Sequence, residues 1–290
     1  MTLSPGSRIL LGLIGSPIKS SASPAMHEAA ARAAGLDGFY HLIDVPDAGP
    51  DGLRLMLEGV RRLGFSGVNI TFPYKEAVLP LLDALSPDAA AIGAVNTVVA
   101  AEGRLTGHNT DSTGFERALA VTIPDAASRP VALIGAGGVG KAIAFALARM
   151  NVPEIRIVER DAAKAQALHA SLPAGAKARI VPSVDEAIDG AGGVVNGTPV
   201  GMLPNRDTPV PPALLHAGLW VADAVYTPLW TPLLVEAKRL GCRVMTGREL
   251  AIFQGVEAFR LFTGFDVPPA SMSAAFDAVM EARAARAAAT

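Results

Sequence analysis

The sequence has few of the features that mark secreted, membrane-bound or nucleic-acid-binding proteins. It contains one cysteine, Cys242, in 290 residues, so no disulfide can form within the chain. That count is typical of a reducing compartment, and we expect a cytoplasmic protein. The formal net charge of −2 at pH 7 provides no basic excess for nucleic acid or for an acidic membrane surface. We therefore expect neither nucleic acid nor a membrane among its partners.

Long apolar runs are also missing. No stretch approaches the roughly 20 apolar residues that a membrane-spanning helix requires. The apolar run Ile9–Ile14 is too short for the core of a signal peptide, so we expect no targeting segment. Half of the residues are nevertheless hydrophobic, which is enough for a sizeable core in one large or two ordinary domains. These features predict a soluble globular protein.

What the sequence does contain is a glycine-rich turn between a strand and a helix. Val131–Ile134 has the pattern of a short buried strand, and the next six residues fill a G-x-G-x-x-G frame before a helix predicted at Lys141–Met150. The first glycine permits the tight turn, the second lets the backbone approach a pyrophosphate, and the third allows close helix–strand packing. The residues predicted to border a dinucleotide are Gly135, Ala136, Gly137, Gly138, Val139 and Gly140.

The surroundings of this turn favour a dinucleotide site over an ordinary strand–turn–helix. A second strand, predicted at Ile155–Val158, is followed by Glu159, 24 residues after Gly135. An acidic side chain there accepts hydrogen bonds from the ribose of NAD and repels the 2′-phosphate of NADP, whereas arginine attracts that phosphate. Glu159 and Arg160 therefore give opposite signals, and these two residues alone leave the choice between NAD and NADP open.

Strands and helices alternate on both sides of the turn, which predicts an α/β fold. Before it we expect strands at Ile9–Ile14, Phe39–Val45 and Gly67–Ile70, helices at Pro24–Ala34 and Leu53–Leu63, and a hairpin across Glu102-Gly103. After it the alternation continues to Met245, followed by helices at Glu249–Phe262 and Pro269–Ala289. This pattern predicts an N-terminal α/β domain and a Rossmann-type doubly wound parallel sheet domain.

Polar side chains collect where the first-half strands end. Ser21 and Ser23 follow the first strand, Lys75 follows the third, and Asp111 follows the hairpin. Open α/β sheets bind ligands at the carboxyl ends of their strands. Simpler explanations exist: Ser23 is placed as the N-cap of the first helix, Asp111 as a cap of the helix carrying Phe115, and a lone lysine is usually solvated. Residue chemistry alone leaves both explanations open.

Taken together, the motifs resemble those of the shikimate dehydrogenase family, most closely its quinate/shikimate dehydrogenases. The matching segments follow the family's order: GSPI (15–18), SASP (21–24), GVNITFPYK (67–75), GAVNT (93–97), GHNTD (107–111), the glycine-rich turn (135–140), NGTPVGM (196–202), DAVYTP (223–228), and Gly247 with Gln254. Their joint occurrence is far more specific than any one of them.

The resemblance implies hydride transfer between a nicotinamide cofactor and a ring hydroxyl of shikimate, with quinate as an open second substrate. It implies a substrate domain of residues 1–108, completed by the C-terminal helices 247–290, and a dinucleotide-binding domain of residues 109–246. Lys75 and Asp111 match the catalytic pair, and no metal is implied. NAD-preferring quinate/shikimate dehydrogenases have an acidic residue, Asp, at the position of Glu159, so the resemblance favours NAD over NADP. The matching substrate contacts are Ser21, Ser23, Thr71, Asn96, Tyr226 and Gln254, and further cofactor contacts are Asn196, Thr198 and Gly247.

The sequence also departs from the family pattern. Ser20 stands where many shikimate dehydrogenases have histidine, and Lys19 adds a charge beside it. The choice between shikimate and quinate, both small cyclic polyol carboxylates, therefore stays open, as does the oligomeric state. Two alternatives also remain: a dehydrogenase for an amino-substituted ring, and a non-catalytic relative that binds NAD and the ring acid. The presence of both Lys75 and Asp111 argues against the non-catalytic relative.

Overall fold

A computed structural model describes residues 3–288 of the chain, and these residues form two compact units. Unit 1 consists of the described parts of Met1–Thr110 and Ile252–Thr290, and unit 2 is Asp111–Ala251. Each unit contains one six-stranded sheet. Within residues 3–288, none of the helices combines the length and the apolarity that crossing a bilayer requires.

Unit 1 has a mixed sheet. Its strands are β1 (Arg8–Gly15), β2 (Asp37–Asp44), β3 (Phe65–Ile70), β4 (Ala84–Leu85), β5 (Thr97–Ala101) and β6 (Arg104–His108), in the order β2-β1-β3-β5-β6-β4. β1 runs parallel to β2 and β3, whereas β5 runs antiparallel to β3 and β6. β5 and β6 form the predicted hairpin, and both turn residues, Glu102 and Gly103, have positive φ, as a type I′ turn requires.

Unit 2 has a fully parallel sheet. Its strands are β7 (Val131–Ile134), β8 (Ile155–Val158), β9 (Ala178–Ile180), β10 (Gly193–Asn196), β11 (Trp220–Asp223) and β12 (Arg243–Met245), in the order β12-β11-β10-β7-β8-β9. Every residue of β7, β10 and β11 is buried, as expected for parallel strands covered on both faces. The strand order reverses between β7 and β10, where doubly wound folds bind ligands. The predicted fold class is confirmed.

The helices follow the sequence periodicity. In chain order they are α1 (Ser23–Ala33), α2 (Gly49–Arg62), α3 (Pro87–Ile92), α4 (Thr110–Thr122), α5 (Gly138–Arg149), α6 (Ala162–Ser171), α7 (Val184–Ile188), α8 (Pro232–Arg239), α9 (Gly247–Thr263) and α10 (Pro269–Ala288). In α2, for example, Leu53, Leu57 and Val60 are buried because their spacing places them on one face. They join a core that includes Ile14 and Val98 of the sheet. Residue 289, the predicted end of α10, lies outside the described residues.

Some local predictions were wrong. Ser23 is the first residue of α1 rather than its N-cap, and Ala22 stands at the cap position. Asp111 lies inside the first turn of α4, which begins at Thr110, so it is not a cap either. α5 begins at Gly138 instead of Lys141, because the last glycines of the turn already adopt helical geometry. No element was predicted for residues 76–93, which contain a 3-10 turn (Leu79–Leu81), β4 and α3.

Candidate functional site

In unit 1, the loops that follow β1 and β3 contact each other. The backbone N–H of Ser16 donates to the carbonyl of Phe72 at 3.0 Å, and the N–H of Thr71 donates to the carbonyl of Ile14 at 3.0 Å. A Cβ on Gly15 would overlap the side chain of Thr71, so the close approach requires glycine. The loop that leads to the serines therefore starts directly against Thr71.

Ser21 and Ser23 form a hydroxyl pair at the start of α1. The Ser21 hydroxyl donates to Ser23 Oγ at 3.0 Å and accepts from the Ser23 backbone N–H at 3.2 Å. Both residues are half-buried. Because α1 spans 11 residues and carries no acidic residue in its first turn, its N-terminus has partial positive charge that complements an anion. This arrangement suits a carboxylate.

Lys75 lies just beyond a tightly held turn. The Tyr74 N–H donates to the carbonyl of Thr71 at 2.9 Å. The Tyr74 hydroxyl donates to the carbonyl of Val45 at 2.6 Å and accepts from the N–H of Ala48 at 3.0 Å. The carbonyl of Lys75 accepts from the N–H of Val95 at 2.8 Å. Lys75 and Asn96, which follows Val95, are therefore on adjacent segments of unit 1.

Asn96 is the centre of a buried network of amides and hydroxyls. Its Oδ1 accepts from the backbone N–H of Thr110 at 2.7 Å, and its Nδ2 donates to Thr110 Oγ1 at 2.9 Å. Asn96 Nδ2 also donates to Gln254 Oε1 at 3.3 Å. Asn96 is only 2% exposed. The fold thus brings together Asn96 and Gln254, which lie 158 residues apart in the chain.

Asn69 and Tyr40, which the sequence analysis did not single out, are hydrogen-bonded to this network. Asn69 Nδ2 donates to the carbonyl of Asn96 at 3.2 Å and to Thr97 Oγ1 at 3.0 Å. Asn69 Oδ1 in turn accepts from the hydroxyl of Tyr40 at 2.9 Å. Asn69 belongs to the quoted 67–75 motif, but nothing in the sequence marks Tyr40 of β2 as its partner, because the contact depends on how β1, β2 and β3 align.

Tyr40 also stacks on a buried histidine, His27 of α1, with ring centroids 4.7 Å apart. His27 is 2% exposed, and its Nδ1 has no hydrogen-bond partner among the described residues. Burial lowers the pKa of His27 to about 3, from an ordinary value of 6.5. His27 is therefore a neutral core residue at neutral pH.

Asp111 is the residue after Thr110, in the first turn of α4, and it is 5% exposed. Within unit 2 this turn is tied to α5. Arg149, the last residue of α5, donates through Nη2 to the buried Ser112 Oγ at 2.7 Å and through Nε to Glu116 at 2.8 Å. The position of Asp111 along α4 is thus fixed relative to the helix that follows the glycine-rich turn.

The glycine-rich turn of unit 2 packs against the 196–198 segment. Gly135 has φ of +100°, and a Cβ on it would lie 2.6 Å from Thr198 Cγ2. A Cβ on Gly140 would overlap the carbonyl oxygen of Gly135. A Cβ on Gly137, by contrast, would meet no described atom within 4 Å. Gly135 and Gly140 therefore allow close packing that a larger residue would prevent, whereas Gly137 borders open space at the start of α5.

That open space fits a pyrophosphate. Gly137 is the cap residue of α5, no side chain within residues 3–288 caps this helix, and its first turn has no acidic residue. Gly137, Gly138 and Val139 are half-buried, and the other residues of the turn are buried. Helix N-termini of this kind bind phosphates through backbone N–H groups. The residues of the turn therefore fit a dinucleotide.

Asn196 and Thr198 shape the neighbouring loop. Asn196 Oδ1 accepts from the N–H of Thr198 at 3.0 Å and from its hydroxyl at 2.7 Å. Asn196 Nδ2 donates to the carbonyl of Val200 at 3.0 Å and to Asp223 Oδ1 at 2.9 Å. These bonds use both the oxygen and the NH2 group of the fully buried Asn196 side chain. Asn196 therefore fixes the conformation of the loop, and Thr198 of this loop lies against the glycine-rich turn.

Asp223, at the end of β11, was quoted in a sequence motif without a role. It is 1% exposed, and its carboxylate accepts from Asn196, from the N–H of Val225 at 2.9 Å and from the hydroxyl of Thr231 at 2.7 Å. Burial raises the pKa of Asp223 to about 6, although the three hydrogen bonds oppose the rise.

The half-buried Tyr226 follows Asp223 by three residues in the chain, and the backbone of Gly247 packs against the carbonyl of Val225.

Glu159 reaches back to the glycine-rich turn. Its carboxylate accepts from the N–H of Ala136 at 2.7 Å and from the N–H of Asp161 at 3.1 Å. Burial raises the pKa of Glu159, but the backbone hydrogen bonds outweigh burial, so the pKa lies below its usual range. Asp161 is the N-cap of α6 and accepts from the N–H groups of Ala163 and Lys164. Arg160 between the two carboxylates is exposed.

Comparison with known proteins gives matches over most of the chain. One family model, described as the shikimate dehydrogenase substrate binding domain, matches residues 13–98. A second, described as shikimate/quinate 5-dehydrogenase, matches residues 118–199.

Individual relatives extend these matches. A quinate/shikimate dehydrogenase (NAD(+)) of Corynebacterium efficiens is 47% identical, covering 92% of this chain and 97% of the relative. A shikimate dehydrogenase (NADP(+)) of Streptomyces avermitilis is 46% identical over 88% of this chain and 90% of the relative. A quinate dehydrogenase from Corynebacterium glutamicum, solved with NAD, superposes with a TM-score of 0.86 at 42% identity, covering 94% of this chain and all of that one.

Proposed function

The chain belongs to the shikimate dehydrogenase family, and from this membership and the geometry above we propose that it oxidises shikimate reversibly to 3-dehydroshikimate with NAD. It is a nicotinamide-dependent oxidoreductase. We propose quinate as a second substrate, since NAD-using relatives at 47% and 44% identity carry both substrate names.

The observation that carries the proposal is the buried network around Asn96 in unit 1. It joins Asn96, Thr110 and Gln254 through hydrogen bonds of 2.7 to 3.5 Å, and the next residue in the chain is Asp111. A buried set of polar groups suits a ligand rich in hydroxyls and rejects analogues that lack them. Unit 1 is accordingly assigned to the ring acid and unit 2 to the dinucleotide.

The roles of the substrate contacts follow from their chemistry. Ser21 and Ser23, at the N-terminus of α1, hold the ring carboxylate. Thr71, Asn96 and Gln254 hold ring hydroxyls, and Tyr226 contributes a further hydroxyl from unit 2. Each of these assignments rests on the family resemblance together with the local geometry.

Bound NAD supplies the acceptor for the hydride. When the hydride leaves the ring carbon, the proton of the reacting hydroxyl must leave too. We assign this proton to Lys75, whose Nζ takes it up during oxidation and returns it to the carbonyl oxygen during reduction. Asp111 is assigned as the second member of the catalytic pair, as the family resemblance implies. A lysine at this position also stabilises negative charge that develops on the reacting oxygen.

Cofactor choice follows from the two carboxylates that flank Arg160. Asp161 already occupies the first N–H groups of α6, a position that would otherwise attract a phosphate. Glu159 uses only part of its acceptor capacity on Ala136 and Asp161, which leaves capacity for ribose hydroxyls. A 2′-phosphate would meet both negative charges, so NAD is the favoured cofactor. The exposed Arg160 lies at the same edge and sets how strongly NADP is disfavoured.

The experiment that tests this proposal is a rate matrix of shikimate and quinate against NAD and NADP. We expect reduced nicotinamide with shikimate and NAD, and a kcat/KM for NAD roughly tenfold or more above that for NADP, equivalent to about 1.4 kcal/mol. A markedly larger kcat/KM with NADP would overturn the cofactor assignment. Binding of NAD without turnover of either acid would overturn the assignment as an enzyme for these acids.

A further inference from the structure

The side-chain amide of Asn196 has a hydrogen-bond direction that backbone groups of the 196–200 loop fix. Its oxygen accepts from the N–H of Thr198 at 3.0 Å, and an N–H can only donate. Its NH2 group donates to the carbonyl of Val200 at 3.0 Å, which can only accept. The same NH2 group also donates to Asp223 Oδ1 at 2.9 Å. Asp223 is therefore the acceptor that completes the bonding of an amide with no exposed surface.

The two carboxylate oxygens of Asp223 bond to different parts of unit 2. Oδ1 accepts from Asn196 and from the N–H of Val225 at 2.9 Å. Oδ2 accepts from the hydroxyl of Thr231 at 2.7 Å, and Thr231 is the N-cap of α8. Because the two links use separate atoms, a substitution can remove the link to α8 and leave the link to Asn196 in place.

The 196–200 loop lies against the glycine-rich turn with no spare room. The N–H of Gly197 donates to the carbonyl of Ile134, the last residue of β7, at 2.8 Å. A Cβ on Gly197 would lie only 3.0 Å from the Cα of Gly140. Packing this close transmits a small displacement, because a protein interior has low compressibility. A shift of the loop must therefore displace the turn or open a gap beside it.

We propose that Asp223 is a positioning residue for NAD, acting through Asn196 to hold the 196–200 loop against the glycine-rich turn. This inference rests on the proposed function, in which Asn196 and Thr198 border the cofactor. Without the Asp223 oxygen, the amide of Asn196 has a buried donor with no partner, which costs more than the mere loss of one bond. Any movement that gives this donor a new partner disturbs the bonds to the loop. Loss of the acceptor therefore weakens NAD binding and leaves the hydride-transfer step itself unchanged.

The first test compares Asp223→Ala with Asp223→Asn. In Asp223→Ala we expect the calorimetric Kd and the KM for NAD to rise roughly tenfold or more, about 1.4 kcal/mol. The kcat with saturating shikimate and NAD should stay within threefold. Asp223→Asn keeps an acceptor for Asn196, because the N–H of Val225 requires the amide oxygen at the Oδ1 position, so its Kd should stay within threefold. An unchanged Kd in Asp223→Ala, or an equal rise in both variants, would overturn the proposal.

The matched control is Thr231→Val, which acts on the other oxygen of the same carboxylate. It removes the hydroxyl that donates to Asp223 Oδ2 and the side-chain cap of α8, so the free energy of unfolding should fall. It leaves the Oδ1 link to Asn196 intact, so the Kd of NAD should stay within threefold of the unchanged protein. A rise in Kd as large as that of Asp223→Ala would mean that general loosening of unit 2 is the cause, against the proposal.

A double-mutant cycle tests whether Asp223 acts through Asn196. Once Asn196→Ala has removed the amide, adding Asp223→Ala should raise the Kd of NAD by less than a further threefold. Effects that multiply in full would contradict the proposal. If Asp223→Ala does not fold, Asp223→Leu replaces it throughout, since leucine fills the space and offers no acceptor. Failure of the unchanged protein to oxidise shikimate would count against the proposed function, whereas the calorimetric Kd values decide the role of Asp223 without turnover.

Discussion

The two units build their binding residues in different ways. Unit 1 uses side chains from separate segments, with Asn96, Thr110 and Gln254 joined through their amides and hydroxyls. Unit 2 uses backbone, because Gly137 borders open space at the N-terminus of α5, and no side chain within residues 3–288 caps that helix. Side-chain hydrogen bonds in unit 1 suit the particular polar groups of one ligand, whereas the backbone site of unit 2 suits the pyrophosphate that all dinucleotides share.

The units also differ in the ionisable group that each one buries. In unit 1, His27 is buried against aromatic rings and is neutral. In unit 2, Asp223 is buried among three hydrogen-bond donors that stabilise its charge. Burial disfavours the charged form in both cases, so the two pKa values shift in opposite directions. The difference predicts opposite responses of the two units to pH.

The largest effect is expected at the side-chain site. In Lys75→Ala, turnover of shikimate should fall roughly 100- to 10,000-fold, because the group assigned to carry the hydroxyl proton is then missing. The Kd of NAD, whose binding we assign to unit 2, should stay within threefold of the unchanged protein, about 0.7 kcal/mol. Steady-state rates and calorimetry measure the two quantities separately.

The control for this change is Lys177→Ala, an exposed lysine of unit 2 that precedes β9. Its turnover should match that of the unchanged protein. If Lys75→Ala keeps turnover within tenfold, about 1.4 kcal/mol, Lys75 is not the essential proton carrier.

A smaller effect is expected at the backbone site, where two glycines should respond differently to one methyl group. Gly140→Ala should lower the free energy of unfolding by about 1 to 3 kcal/mol, because its Cβ overlaps the carbonyl of Gly135. Gly137→Ala should leave stability within about 1 kcal/mol, since its Cβ meets no described atom within 4 Å, and should raise only the KM for NAD. Equal losses of stability in both variants, measured by urea unfolding, would contradict the packing account.

The smallest effect is a pair of opposite pH slopes. His27 has a folded pKa of about 3 against an ordinary 6.5, so below pH 6.5 the unfolded chain binds a proton that the folded chain does not. Stability from this group is lost as pH falls. Asp223 has a folded pKa of about 6 against 3.8, so its contribution is complete below 3.8 and is lost as pH rises towards 6. Each slope reaches at most about 1.4 kcal/mol per pH unit.

Two variants separate these slopes. Between pH 4 and 6, His27→Phe should lose less stability on acidification than the unchanged chain, while Asp223→Asn should lose more. Urea unfolding at each pH gives both values. Slopes that change in the same direction in the two variants would contradict the contrast between the units.

The sequence was most informative where a local pattern determines the structure. The G-x-G-x-x-G frame and the alternation around it predicted the parallel sheet of unit 2, and the Glu102-Gly103 pair predicted the hairpin, because both depend on near neighbours in the chain. Errors fell at boundaries: α5 begins three residues early because glycines can be helical, and Ser23 bonds to Ser21 instead of capping α1.

Contacts between distant segments were not predictable in the same way. The hydroxyl of Tyr40 meets Asn69 only because β2, β1 and β3 align in a particular register. Asp223 meets Asn196 because β10 and β11 end side by side. Without the family resemblance, Gln254 also had no local signal that linked it to Asn96. These contacts could therefore be identified only from the structure.

The most direct test of the account is a single-turnover experiment with isotope-labelled substrate. Protein in excess is mixed with NAD and shikimate that carries deuterium on the ring carbon bearing the oxidised hydroxyl. The account predicts that reduced nicotinamide forms and contains the deuterium, because the hydride passes directly from that carbon. Reduced nicotinamide without deuterium, or no reduction despite binding of both ligands, would contradict it.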